Sequence, residues 1–239
     1  MAMSRRLNTS ICMASSFITA TDTDAGKTYI STMLLHGFKL LKLTAVGVKP
    51  IAAGVDADGY NSDALLMQQH SGIALPYSQV NPICYAPPVA PHLAAINTLQ
   101  PIDEAVLNSA LHRWQQLPIQ QLIIEGAGGW LLPISEQRYL ADWVVEQQLS
   151  VILVVGVKLG CLNHAMLTVR EIERSGAKLI GWIANCIDTE MALLEQNIAD
   201  LRQRITAPCF AVIPYAANTA AYQQLALQLA SQLQLAQQR

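Results

Sequence analysis

The chain has 239 residues, of which 52% are hydrophobic and 13% charged, and its formal net charge is −2. This length allows one large domain or two small ones, with ample material for a core. The small net charge argues against a nucleic-acid partner held by a basic surface. No run of about 18 apolar residues predicts a membrane span. We expect no signal peptide, because cleavage after the short first apolar stretch would remove the motif described below.

The cysteines are odd in number, far apart in the sequence and without any C-x-x-C pair. They are Cys12, Cys84, Cys161, Cys186 and Cys209. This usage is typical of reduced thiols in the core or loops of a cytoplasmic protein. We therefore expect a cytoplasmic protein without disulfides.

Strand-like and helix-like segments alternate along the whole chain. Apolar, β-prone runs predict strands at 16–19, 45–48, 122–125, 151–155, 179–184 and 210–213. Apolar residues at helical spacing predict helices at 27–41, 62–70, 103–116, 141–148, 163–175, 191–204 and 220–235. These strands are near-continuous apolar runs, most clearly at 151–155, which is typical of a parallel sheet covered on both faces. In such sheets, ligands bind beyond the carboxyl ends of the strands.

No linker or change of composition divides the chain. We predict a flexible N-terminal extension over 1–14 and one domain over 15–239. Residues 71–102 contain six prolines and are predicted to be irregular. A connection of this length is often a lid or a binding loop.

The segment 20–28 reads ATDTDAGKT and lies between a predicted strand and a predicted helix. This layout is typical of a phosphate-binding loop, whose backbone N–H groups attract an anion. Lys27 would reach the β- and γ-phosphates, and the Thr28 hydroxyl would bind Mg²⁺. The usual spelling G-x-x-x-x-G-K-[ST] has glycine where Thr21 stands, so a plain helix start near Gly26 is the alternative. With the loop, we predict a three-layer P-loop α/β fold, with a mostly parallel sheet of about seven strands and helices on both faces.

Charged side chains stand at or near the predicted carboxyl ends of strands. Glu125 ends an apolar strand, where a carboxylate needs a cation; we favour Mg²⁺ over a surface lysine. Asp63 is either a further oxygen ligand for Mg²⁺ or a first-turn residue that favours the helix dipole. Lys49 and Lys158 each follow a strand, and each points into the ligand crevice or is simply exposed.

Gly160, Cys161, Leu162 and Asn163 lie between a predicted strand and a helix. Their N–H groups either cap the helix or hold a substrate carboxylate. We do not expect Cys161 to be a nucleophile, since no His–carboxylate pair is evident from the spacing.

Six motifs, in order between about Phe17 and Tyr215, resemble the dethiobiotin synthetase family. They are 21–28 (TDTDAGKT), 48–54 (VKPIAAG), 61–64 (NSDA), 125–130 (EGAGGW), 154–165 (VVGVKLGCLNHA) and 181–185 (GWIAN). The resemblance implies an ATP-dependent cyclo-ligase of biotin biosynthesis. It would convert 7,8-diaminopelargonic acid and CO₂ to dethiobiotin, with ADP and phosphate as products. The path would run through a carbamate and a carbamic–phosphoric anhydride, on a homodimer that uses Mg²⁺.

The resemblance also implies roles for individual residues. Lys27 and Lys49 would be catalytic, and Thr28, Asp63 and Glu125 would hold Mg²⁺. Nucleotide-binding residues would be Thr23, Asp24, Ala25, Gly26, Lys27, Thr28, Glu125, Gly126, Gly128, Asn185, Pro214 and Tyr215. Substrate-binding residues would be Lys49, Ala53 and, from the opposite subunit, Gly160, Cys161, Leu162 and Asn163.

Three positions depart from the family pattern. Ala20 stands where glycine is common, Asp24 where glutamate is common, and Ala53 where serine is expected near the carbamate. Alanine at 20 is tolerable only if its φ is negative. Ala53 lacks the hydroxyl donor of that serine, and a water molecule would have to take its place.

Three other classes compete with this interpretation. Partitioning ATPases carry a lysine early in the loop, and residues 21–25 contain none. Amide-forming ligases related to cobyric acid synthases append a glutaminase domain, for which we expect no room. A nucleotide-gated scaffold protein would hydrolyse ATP without needing an amine.

Overall fold

The computed structural model describes residues 13–216 and 218–238. Its strands are β1 (Ala14–Ala20), β2 (Ala45–Val48), β3 (Ile51–Ala53), β4 (Ile83–Tyr85), β5 (Gln121–Glu125), β6 (Ser150–Val157), β7 (Leu179–Cys186) and β8 (Cys209–Ile213). Its helices are α1 (Lys27–Leu40), α2 (Ser62–His70), α3 (Tyr77–Val80), α4 (Pro91–Thr98), α5 (Glu104–Gln115), α6 (Leu140–Glu146), α7 (Cys161–Arg174), α8 (Leu194–Arg204) and α9 (Thr219–Gln237).

Six strands form the main sheet, in the order β2-β5-β1-β6-β7-β8, and every neighbouring pair is parallel. The predicted parallel α/β fold is confirmed, with six strands in this sheet instead of about seven. β3 and β4 form a separate two-stranded parallel sheet. Because all six strands run the same way, the segments that follow them meet at one edge.

The apolar strands are buried on both faces, and their side chains divide between two layers of helices. On β6, Leu153, Val155 and Val157 belong to a cluster shared with α7 and α8, whereas Ile152 and Val154 belong to the larger core. On that larger side, α1 packs along α9. This alternation explains why both sets of alternate positions in the middle of β6 are apolar in sequence.

The prediction that 71–102 is irregular is wrong, since α3, β4 and α4 lie within it. Bonds to distant segments hold this region: the Lys49 N–H donates to Val80 O at 2.9 Å, and the Trp114 Nε1–H donates to Gln79 O at 2.7 Å. Pro91 occupies the first turn of α4, where its missing N–H costs nothing. Pro91, one of the prolines of a segment predicted to be irregular, therefore begins a helix instead of interrupting one.

The structure describes only part of the predicted N-terminal extension, residues 1–14. β1 begins at Ala14, one residue inside the predicted extension 1–14, and residues 1–12, with Cys12, lie outside the described residues. The proposed division into an extension and one domain stays a prediction. Cys84, Cys161, Cys186 and Cys209 are free thiols. Among the described helices, none has the length and apolar character needed to cross a bilayer.

Candidate active site

The phosphate-binding loop (residues 21–28) connects β1 to the first turn of α1. Gly26 has φ +90°, and a Cβ there would overlap Nδ2 of Asn185. That amide donates to Ala25 O at 2.9 Å. Glycine is therefore required at 26 both by its backbone conformation and by the close approach of Asn185.

The missing first glycine of the loop has a structural explanation. Neither Ala20 nor Thr21 has a positive φ, so neither position needs glycine. The Thr21 hydroxyl accepts the Gly156 N–H at 3.2 Å, and the Thr21 N–H donates to Val154 O at 3.0 Å. Thr21 thus fastens the loop to β6. Asp24, by contrast, has φ 42°, a conformation that aspartate tolerates better than most residues.

Lys27 is a buried cation at the start of α1. Its residue is 7% exposed, and its Nζ donates to Asp22 O at 3.3 Å. Burial, and then the neighbouring Lys49 ammonium, lower the pKa of Lys27 to about 8, against the opposing effect of Glu125 and Asp63. A poorly hydrated ammonium of this kind gains strongly from a phosphate oxygen.

Lys49 is the centre of a buried charge cluster formed with Glu125, Asp63 and Thr28. Its Nζ lies 2.5 Å from Glu125 Oε1 and 3.0 Å from Asp63 Oδ2, and it donates to Gly126 O at 3.2 Å. The Thr28 hydroxyl donates to the same Glu125 Oε1 at 2.8 Å. The strand ends of β2 and β5 and the first turns of α1 and α2 therefore meet at this point.

The electrostatics of this cluster follow from burial and opposite charge. Burial by itself lowers the pKa of Lys49, but the carboxylates of Glu125 and Asp63 outweigh it and the pKa is raised. Burial likewise raises the pKa of Asp63, and Lys49 with Thr28 reverses this, so the pKa is lowered. Glu125 is fully buried, and its Oε2 has no hydrogen-bond partner among residues 13–216 and 218–238.

A cavity of about 660 Å³ opens above this cluster, and we call it the front cavity. It is lined by Thr23, Asp24, Gly26, Lys27, Thr28, Tyr29, Lys49, Ala52, Ala53, Asn61, Asp63, Pro88, Val89, Ala90, Pro91, Ala127, Gly128 and Leu132. Nine of the residues predicted for the site are in this set. The volume is typical of a small-molecule site.

Other predicted residues lie near the cavity without lining it. Glu125 and Gly126 accept hydrogen bonds from Lys49 Nζ, and Asn185 donates a hydrogen bond to Ala25 O in the loop. Pro214 and Tyr215 directly follow β8, whose Ile213 is in register with Asn185, and both are exposed.

Residues 160–163 do not line the front cavity of their own chain. Gly160 has φ +91° and precedes α7, which begins at Cys161, two residues before its predicted start. The buried Cys161 thiol has its pKa raised by desolvation, which fits the expectation that it is not a nucleophile. Lys158 pairs with Asp22 of the loop at 3.1 Å, so it lies at the carboxyl edge of the sheet.

The sequence reasoning missed several residues of the cavity wall. Asn61 caps α2 by accepting the Ala64 N–H at 3.2 Å, and its Nδ2 donates to Gly54 O at 2.9 Å. An Asn directly before a predicted helix was a signal for this cap. The segment 88–91 also lines the cavity. It lies within residues 71–102, whose length predicts a lid or binding loop, but no pattern in the sequence singles out these four residues.

Comparison with curated proteins identifies the family. A family model described as an AAA domain matches residues 15–223. The ATP-dependent dethiobiotin synthetase BioD of Pseudoalteromonas translucida is 43% identical, covering 85% of this chain and 91% of the relative. The BioD 1 enzyme of Salmonella typhimurium is 46% identical, covering 83% and 88%. The chain belongs to the ATP-dependent dethiobiotin synthetase family. The resemblance drawn from six sequence motifs is confirmed.

Solved structures share the fold at low sequence identity. The MinD cell division protein of Aquifex aeolicus superposes with a TM-score of 0.56 at 11% identity, covering 92% of this chain and 96% of that one. A MinC:MinD complex from the same organism gives 0.57 at 12% identity. These values show the shared three-layer architecture and no more than that.

Proposed function

We propose that the chain catalyses the ATP-dependent carboxylation and ring closure of 7,8-diaminopelargonic acid with CO₂, giving dethiobiotin, ADP and phosphate. Membership of the dethiobiotin synthetase family makes it an ATP-dependent cyclo-ligase of biotin biosynthesis. The observation that carries the assignment to this site is the meeting of Lys27, Lys49 and two carboxylates beside the phosphate-binding loop.

The loop and Lys27 would bind the triphosphate of ATP. The N-terminus of α1 presents free backbone N–H groups, since no described side chain caps it, and such groups attract phosphate. We assign the adenine edge to Asn185, whose Nδ2 is engaged by Ala25 O while its Oδ1 has no partner among the described residues. Pro214 and Tyr215, exposed beside the end of β7, would border the base.

Thr28, Asp63 and Glu125 would hold Mg²⁺. All three supply oxygen, the donor that Mg²⁺ prefers, and Glu125 Oε2 is buried with no partner in the part of the chain that the structure describes. The described residues contain no group of three or more His, Cys, Asp and Glu placed to hold a metal, which suits an ion that takes the rest of its ligands from phosphate and water. When bound, the ion would neutralise the triphosphate.

Lys49 would bring the second anion to ATP. A carbamate formed from CO₂ and one amine of the substrate repels the γ-phosphate, and an ammonium between them offsets that repulsion. The carbamate oxygen would attack the γ-phosphorus with ADP leaving, and the second amine would attack the carbonyl carbon with phosphate leaving. Lys49 Nζ lies at the front cavity, where both anions would meet.

We further propose a homodimer in which residues 160–163 of one subunit contact the substrate carboxylate in the other. Leu159 is 89% exposed and Leu167 is 59% exposed on the adjoining part of α7. Exposed apolar side chains flanking backbone N–H groups favour a partner surface here. The cytoplasmic location expected from sequence stays a prediction.

The test of the proposed reaction is phosphate release from ATP, measured with the diamine and bicarbonate added singly and together. Release should require both, and should be lost in Lys49→Ala but not in Lys178→Ala, which changes an exposed lysine away from the site. ATP turnover that ignores the diamine would refute the assignment and favour a nucleotide-gated scaffold.

The shared site has its own test. Chains carrying Lys49→Ala are mixed with chains carrying Asn163→Ala under conditions that exchange subunits. Mixed dimers should regain about a quarter to a half of the activity if one intact site forms per dimer, since mixing is statistical. No recovery in demonstrably mixed dimers would indicate a self-contained subunit.

A further inference from the structure

A second cavity, of about 480 Å³, lies at the opposite end of β2 from the candidate active site, and we call it the rear cavity. It is lined by Leu35, His36, Lys39, Lys42, Leu43, Thr44, Ala45, Gln69, His70, Ser71 and Gly72. It lies between the last turns of α1 and α2, at the first residue of β2.

The charge around the rear cavity is of one sign. Lys39 and Lys42 line it together with His36 and His70, and no Asp or Glu is among its lining residues. The whole sequence has a net charge of −2, so this concentration of basic groups is not a general property of the chain. Among the described residues, neither lysine ammonium forms an ion pair or hydrogen bond.

The basic groups are also close to one another. The pKa of His70 is lowered first by burial and then by the neighbouring charges of His36 and Lys39. His36 Nε2 is shielded from solvent and has no hydrogen-bond partner within the described segments, and the His36 ring lies 5.5 Å from that of Tyr222 on α9. An anion placed among these groups would relieve their mutual repulsion.

Helix capping does not account for these lysines. The carbonyl oxygens of Gly37, Phe38 and Lys39 at the end of α1 already accept the N–H groups of Leu41, Leu43 and Lys42, at 2.9 to 3.0 Å. The lysine side chains are therefore not needed as caps.

Lys42 also departs from the usual pattern at a helix end. It has φ 60°, a left-handed conformation that glycine would adopt at lower cost. The chain instead carries a long cationic side chain at this position, on the wall of the cavity.

We propose that the rear cavity binds a small anion that carries phosphate groups. Lys39 and Lys42 supply the charge, His36 and His70 supply ring N–H donors, and the space admits a ligand of metabolite size. The site is separate from the front cavity, and no residue lines both. The proposal does not depend on the reaction assigned to the front cavity.

Equilibrium dialysis with labelled inorganic pyrophosphate tests the proposal. The background variant Lys27→Ala removes the loop lysine and so weakens competing binding at the front cavity, and the change caused by the two rear lysines then reports the rear cavity. Adding Lys39→Gln and Lys42→Gln should weaken this binding at least about tenfold, because two charged donors are lost. The matched control adds Arg113→Gln and Lys178→Gln, two exposed cations elsewhere, and should bind as the background does.

A second arm replaces pyrophosphate with fructose 1,6-bisphosphate, which distinguishes free from esterified phosphate. Binding that is lost in the Lys39→Gln, Lys42→Gln variant and kept in its control supports the proposal. The probe that binds more tightly than the other then identifies the source of the phosphate. Equal binding by the lysine variant and its control, or no binding of either probe to the background variant, overturns it. The four side chains changed on this background are exposed, so we expect them not to alter the folding of the Lys27→Ala protein. Thermal melting of the background variant, which changes a buried side chain, and of each variant built on it checks this.

Discussion

The two ends of the parallel sheet carry similar basic side chains in opposite electrical settings. At the carboxyl end, Lys27 and Lys49 are buried and lie with the carboxylates of Glu125 and Asp63. At the amino end of β2, Lys39 is exposed beside a cavity without carboxylates. A buried charge needs a compensating neighbour, whereas an exposed one keeps its water. The first arrangement is therefore preorganised and sensitive to substitution, and the second is tolerant.

Lys49→Met should have the largest effect on stability. It leaves the fully buried Glu125 carboxylate next to Asp63 without the ammonium that lies 2.5 Å away. Breaking a buried pair in this way should lower the free energy of unfolding by about 3–5 kcal/mol. Urea denaturation measures it, with the exposed Lys178→Met as control. Wild-type stability in Lys49→Met would show that the carboxylates are neutralised in some other way.

Lys27→Ala should mainly affect catalysis. The ammonium is poorly hydrated and lies at the N-terminus of α1, so its charge would act on the transferring phosphate. We expect kcat of diamine-dependent phosphate release to fall about 10²- to 10³-fold, as for the loss of one preorganised donor. An activity within threefold of wild type would show that residues 21–28 do not bind the triphosphate.

Comparing Gly26→Ala with Gly176→Ala separates the cost of backbone strain from the cost of steric overlap in the loop. Gly26 and Gly176 both have positive φ, but a Cβ at Gly176 would meet nothing within 4 Å. Gly176→Ala should therefore lose about 1–2 kcal/mol from strain alone. Gly26→Ala should lose roughly 1 kcal/mol more, because it displaces the Asn185 bond to Ala25. Equal losses in thermal or urea unfolding would mean that Asn185 moves aside freely.

At the amino end of the sheet, Lys39→Gln combined with Lys42→Gln should have the smallest effect on stability and on catalysis. Both side chains are exposed and unpaired among the described residues, so unfolding free energy should change by less than about 0.5 kcal/mol. The kcat of phosphate release should stay within about twofold. A large loss of stability would show that the lysines hold the ends of α1 and α2 in place.

The six strands of the main sheet could be predicted because most of the residues in each predicted run are apolar or β-prone. The helices α1 and α2 were placed to within a residue at each end. β3 and β4 have three residues each, too few for a period to be visible, and they exist because they pair with each other. α8 begins at Leu194, three residues after its predicted start, since Leu193 takes φ 56°.

The candidate site was only partly readable from sequence. The lysine and threonine of the loop follow from their motif. Asp63 could not be chosen by spacing, because an acidic residue in a first helical turn has an ordinary explanation in the helix dipole. The buried pairing of Lys49 with Glu125 joins residues 76 positions apart. No local pattern reports such a contact.

The order of apolar runs and turns by itself determined the layer architecture, because a strand apolar on both faces is stable only between helices. It also determined the family, through six short motifs that follow one another in order along the chain. Only the tertiary structure decided which charges meet. The strand order brings β2 and β5 together, so Lys49 and Glu125 meet in one desolvated place, while Lys39 and Lys42 lie exposed at the far end. The Coulomb energy of two charged groups depends on their distance in space and on their burial, and the spacing of residues along the chain determines neither quantity.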